Sequence, residues 1–71
     1  MKQVNASILE VRKKPSEPGK VRLTYGTIVT VVGPPVTYKH ESWSCVRTIS
    51  EPIIKGYVIT KYLSNIYERR N

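Results

Sequence analysis

One histidine, one cysteine and five glutamates are the side chains of this 71-residue chain best suited to general acid–base or nucleophilic work at neutral pH, and there is no aspartate. His40 and Cys45 stand five residues apart, a spacing compatible with a Cys/His pair. Such a pair needs a third group to orient the imidazole and a cleft to exclude water, and a chain this small would have to build that cleft from loops, so a structural or surface cysteine is the expectation. A single histidine and a single cysteine are also too few for a zinc site, which takes three or four protein ligands. The lone thiol can form no internal disulfide. Gly19, Gly26, Gly33 and Gly56 are isolated, so no glycine-rich loop cradles a phosphate. The expectation is a protein without catalysis, metal or cofactor.

Binding chemistry is better represented. Twelve Lys and Arg against five Glu give a net charge of +7 on 8.1 kDa, which favours polyanionic partners: an acidic protein face, an anionic cell-wall polymer, a membrane surface or nucleic acid. Arg12, Lys13, Lys14, Lys20 and Arg22 cluster in and around one stretch, with Arg47, Lys55 and Lys61 elsewhere. No aromatic residue is interleaved between positions 12 and 22, which ranks single-stranded nucleic acid last, because base stacking normally accompanies the charge. Trp43, Tyr38 and Tyr62 supply amphipathic surface of the kind that anchors protein interfaces. Together with Arg12, Lys13, Lys14, Lys20 and Arg22 they form the expected partner-binding set.

Strands separated by turns are what must position these groups. From Val4 to Val11 the pattern predicts one strand with Leu9 and Val11 on one face and Glu10 pointing away. Residues 12–20 hold two prolines, a glycine and a serine and read as an exposed basic loop. Val21, Leu23 and Tyr25 alternate onto one side before Gly26 breaks the run. Residues 27–32 are rich in β-branched residues and form the surest strand, with either Val29 and Val31 or Ile28 and Val32 facing inward. Gly33-Pro34-Pro35 turns the chain, residues 36–41 read as loop, and residues 42–48 alternate around Trp43 as another strand. Glu51 and Pro52 suggest a turn, Ile53 and Ile54 begin the last strand, and Gly56 to Leu63 closes it in a tight turn. Ile66 and Tyr67 are expected to pair with the N-terminal strand, and residues 68–71 to fray. Five short strands in one domain of 71 residues, core about 4–64 and tail 65–71, make a minimal all-β barrel or sandwich. A chain this short buries only roughly 60% of its unfolded surface, so packing alone has to hold it.

Four segments carry a resemblance. Val4-Asn5-Ala6-Ser7-Ile8-Leu9-Glu10-Val11-Arg12-Lys13-Lys14-Pro15-Ser16 resembles the opening of bacterial Src-homology-3 domains, usually Val-x-Ala-x-x-Leu-Asn-Val-Arg-x-Gly-Pro-Ser. Gly26-Thr27-x-Val29-x-Val31, Trp43-x-x-Val46-Arg47 and Gly56-Tyr57-Val58-x-x-x-Tyr62-Leu63 are similar to that family's later strands and its closing 3₁₀ turn. The resemblance spans roughly residues 4 to 64 and implies a five-stranded Src-homology-3-like barrel with a short 3₁₀ turn near the C-terminus; it also favours Val29 and Val31 as the inward pair. Glu10 stands where the family has Asn and Lys14 where it has Gly, the stretch from Val21 to Gly26 is about two residues short, and the loops before Trp43 and Gly56 are longer. Eukaryotic members line a polyproline groove with residues matching Trp43 and Tyr62, yet Glu10 and Arg12 stand where they have tyrosines and Ile59 where their groove proline falls. A proline-rich ligand is therefore not the expected one.

The function expected is a non-catalytic binding module, an intracellular adaptor or inhibitor of the kind a phage or mobile element encodes. The first alternative, which the resemblance most often implies, is cell-wall targeting as part of a longer secreted protein; the second is nucleic-acid binding by the basic face. With no secretory signal at Met1 and no apolar run near the roughly 20 residues of a membrane helix, the chain as it stands is expected in the cytoplasm, or outside the cell if it is one domain of a secreted chain. Oligomeric state is left open.

Overall fold

Valine dominates the sheet. In the computed structural model, which describes residues 1–66, seven residues form the buried core: Val4, Leu9, Val11, Leu23, Val29, Val46 and Val58. Five are valines, which hold one preferred rotamer and pack well on a pleated surface. Ile54, Tyr62 and Leu63 pack against this cluster from its margins.

The strands are β1 (Lys2–Val4), β2 (Ile8–Val11), β3 (Val21–Thr24), β4 (Ile28–Val31), β5 (Val36–Tyr38), β6 (Glu41–Thr48), β7 (Lys55–Ile59) and β8 (Leu63–Asn65), with a 3₁₀ turn at Thr60–Tyr62 between the last two. All pairings are antiparallel. The main sheet runs β5-β6-β4-β1-β8, with β7 on the other edge of β6 and β2-β3 as a separate hairpin. Arg12 and Tyr57 join the two by exchanging backbone bonds, Arg12 N–H to Tyr57 O at 2.8 Å and Tyr57 N–H to Arg12 O at 2.6 Å. The result is all-β, a curled half-barrel with one core.

Eight short strands replace the five expected, for three local reasons. The expected run from Val4 to Val11 breaks at Asn5–Ser7 because the chain changes partners there: β1 pairs with β4 and β8, whereas β2 pairs with β3. Val4 O accepts from Gly26 N–H at 2.9 Å and Asn5 N–H donates to Tyr62 O at 2.7 Å, which pins the break. Val36–Tyr38, read as loop, is a strand paired with Glu41–Trp43 through a two-residue hairpin whose Lys39 and His40 both have positive φ, 52° and 66°. That is the sense of turn that matches strand twist. A C-terminal strand does pair with the first one, but it is Leu63–Asn65, directly after the 3₁₀ turn, and Ile66, expected to pair, lies beyond it; Tyr67 and the fraying expected of 68–71 lie outside the described residues.

Two face assignments also change. Only Leu23 of the expected trio is buried, since Val21 is 43% and Tyr25 64% exposed. Tyr25 sits in the turn with Gly26, whose φ of 89° and the Thr27 N–H to Thr24 O bond of 3.2 Å give a type II turn that only glycine fits easily. Val29 is fully buried, while Val31 on the same face lies at the exposed end of the sheet.

Candidate functional site

Directly opposed residues of antiparallel strands share a face, and alternate residues along a strand swap faces. On β6 the inward set is Ser44, Val46 and Thr48, all buried. Trp43 and Cys45 therefore point to the outer face. Across the strands Trp43 lies opposite Val36 and Ile59, Cys45 lies opposite Tyr57, and Tyr57 lies opposite Arg12. Trp43 is nonetheless only 5% exposed and belongs to no part of the core cluster.

Arg12 is a large part of the reason. Its guanidinium carbon stands 4.8 Å from the centroid of the Trp43 ring, a cation–π contact worth about 1 kcal/mol for a partly desolvated pair. The same guanidinium donates from Nε to Glu10 Oε1 at 3.1 Å and from Nη1 to Pro15 O at 2.7 Å. Beneath it the Trp43 indole N–H is buried and has no hydrogen-bond partner among the described residues. An unsatisfied buried donor costs about 1–3 kcal/mol.

Glu10 holds the first long loop shut. Its second oxygen accepts the Gly19 N–H at 2.7 Å, and Arg22 faces it across the hairpin. The Gly19 bond first, then the hydrogen bond and charge of Arg12 and the charge of Arg22, hold its carboxyl below the ordinary glutamate range against a smaller opposing push from desolvation. Gly19 and Gly56 press on the same piece of backbone. A Cβ at Gly19 would lie 2.7 Å from the Val11 carbonyl carbon and nearer still to its oxygen; one at Gly56 would lie 2.7 Å from Arg12 O.

Of the expected partner-binding set, the structure joins Arg12 to Trp43 and holds Arg12 by internal bonds instead of leaving it free. Tyr38 and Tyr62 each have a lysine over the ring, Lys39 at 5.5 Å and Lys61 at 5.4 Å. Lys61 also reaches Glu41 at 3.9 Å, opposite Tyr38, so these aromatics flank one end of β6. Tyr62 packs against the core margin, and Ser42, Ser44 and Thr60 hydroxyls hydrogen-bond at 3.0 and 2.7 Å to seat the 3₁₀ turn. Lys13, Lys14, Lys20 and Arg22 are exposed. His40 sits in the β5–β6 turn, Cys45 inside β6, and neither receives a side-chain hydrogen bond among the described residues. Among those residues no three His, Cys, Asp or Glu side chains gather as a metal site would require, and no helix is long and apolar enough to cross a membrane.

Sequence reasoning missed Glu10, Gly19 and Val36. Glu10 carried one signal, an acid alternating outward beside a basic loop, and Gly19 another, a glycine next to Pro18 at the loop's end.

No protein-family model, curated protein or solved structure matches the chain.

Proposed function

We propose that this protein is a non-catalytic binding module, a small barrel of the bacterial Src-homology-3 kind, which docks on a partner protein through the outer face of β5, β6 and β7 with Trp43 at its centre. The observation that carries the proposal is the orphan indole N–H. A donor buried outside the core without an acceptor is a cost in the free protein. A partner that brings a carbonyl or carboxylate oxygen to Nε1 removes that cost, displacing part of the cover over the ring. The Arg12 side chain is a quarter exposed, and its bonds to Glu10 and Pro15 are what a partner has to displace. Val36 and Ile59 on either side of Trp43 extend the apolar contact. Wall-polymer and nucleic-acid binding would draw first on the exposed cations, whereas Val36 and Ile59 beside Trp43 suit the apolar side chains of a protein partner.

Trp43→Phe keeps an aromatic face and removes the donor together with the five-membered half of the indole, so any loss of stability from the smaller ring is read separately by urea titration of the free variant. The free variant should be no less stable for lack of the N–H, since the group it loses is unsatisfied, whereas affinity for a partner captured from native lysate, then purified and titrated, should fall roughly five- to tenfold, the worth of one net hydrogen bond. Unchanged affinity in a folded Trp43→Phe protein rules the outer face out.

A further inference from the structure

Where residues 12–20 pass the start of β7 they leave a concavity of about 330 Å³. Its apolar lining is made by Val21, Ile54 and Pro18; around it stand Lys13, Lys20 and Lys55 with a single acid, Glu17, so cations outnumber carboxylates there. All three lysines are exposed, and among the described residues none of their ammonium groups forms a hydrogen bond or ion pair. The walls are fixed, one by the Glu10 bond to Gly19 and the other by the β6–β7 ladder, so a ligand entering the site has little to reorganise.

A second observation gives the sign of the ligand. Lys55 lies directly opposite Arg47 on the outer face, and both are exposed. Like charges placed directly across strands are unfavourable, and an anion beside them turns that repulsion into attraction. The concavity has no aromatic side chain on which a base could stack.

We propose that this concavity binds a short acidic peptide segment of a partner protein, with one aliphatic side chain against Val21 and Ile54 and carboxylates on either side reaching Lys13, Lys20 and Lys55. The proposal rests on the one above only in taking the partner to be a protein; Arg12 borders both sites, and Trp43 lines only the first.

The probe is a fluorescein-labelled pentapeptide, Glu-Glu-Leu-Glu-Glu, followed by anisotropy at low ionic strength. It should bind, and the affinity should fall on the order of tenfold when Lys20→Glu and Lys55→Glu are combined. It should fall several-fold when the central leucine of the peptide is replaced by serine. The double variant should keep its urea midpoint, since both lysines are exposed and Lys55→Glu gives Arg47 an opposite charge. Equal binding of the leucine and serine peptides, an affinity indifferent to the two lysine changes, or preferred binding of phosphatidylserine vesicles or oligothymidylate would each overturn the proposal. Because its carboxylates could also reach the indole N–H, the peptide is titrated against Trp43→Phe as well: unchanged affinity is expected, since Trp43 does not line the concavity, and a loss would place the peptide at the first site and overturn this proposal.

Discussion

Gly19→Ala tests the close approach on which the first loop depends. The new methyl would sit 2.7 Å from the Val11 carbonyl carbon and closer to its oxygen, and both are backbone atoms within a hairpin, so no side chain can rotate aside. The loop has to retreat by about 1 Å, a displacement in the range where overpacking costs about 1–3 kcal/mol. The retreat also stretches the 2.7 Å bond from Gly19 N–H to Glu10, worth about 1 kcal/mol at a site this open to solvent. Against these, alanine gains about 0.4–1 kcal/mol by restricting the unfolded chain. The net loss is about 2 kcal/mol, a large share of the roughly 3–10 kcal/mol expected for a domain of this size. It should lower the melting temperature by about 8–16 °C and the urea midpoint by about 2 M, read from the fluorescence of the single tryptophan. Gly33→Ala is the control, because nothing lies within 4 Å of its Cβ and its φ is not positive; it should stay within about 0.5 kcal/mol of the parent. If Gly19→Ala is as stable as Gly33→Ala, the close approach is not what holds the loop.

Glu10 has its pKa depressed in the fold by Gly19 and the two arginines, so its stabilisation is complete above the unfolded-state pKa and is lost as the pH falls through the lower, folded one. The urea midpoints of the parent and Glu10→Gln should therefore differ at neutral pH and converge under acid; a constant gap would count against the latch. Thr48→Val removes a buried hydroxyl that accepts from Ile54 N–H at 2.8 Å and donates to Pro52 O at 3.0 Å, and should cost about 2 kcal/mol in the same titration. Replacing the turn by Lys39→Asn with His40→Gly should stabilise by about 1 kcal/mol, since both positions hold positive φ in residues ill suited to it, and differential scanning calorimetry would show it.

The strands of β-branched residues and the tight turn after β7 were legible because each is announced locally, by Ile28 to Val31 and by the glycine-led run into Tyr62; that the turn is 3₁₀ followed only from the resemblance. What stayed hidden depends on distant partners. Nothing in Asn5-Ala6-Ser7 says that the chain leaves β4 and β8 for β3 there, because a change of pairing partner leaves the residue pattern intact. Val36–Tyr38 was masked by a turn lacking Asn-Gly or any glycine, so the hairpin signal was absent although the strand propensity was present. In the candidate site the residue types were legible, Trp43 and the basic stretch above all. That Arg12 would lie over Trp43 was not, because the contact runs through the bridge from Arg12 to Tyr57, 45 positions along the chain.

Gly19 and Gly56 clamp the Val11–Arg12 backbone from two directions, and this separates what can vary from what cannot. Residues 13–18 run between one end fixed by the Arg12–Tyr57 bridge and another fixed by the Glu10–Gly19 latch. Their composition can be rewritten with little effect on the sheet, and doubling the length of such a loop costs only about 0.6 kcal/mol in closure entropy. The segment is thus a graftable cassette. A new recognition sequence could be installed between the two clamps, with the fold paid for elsewhere in the chain.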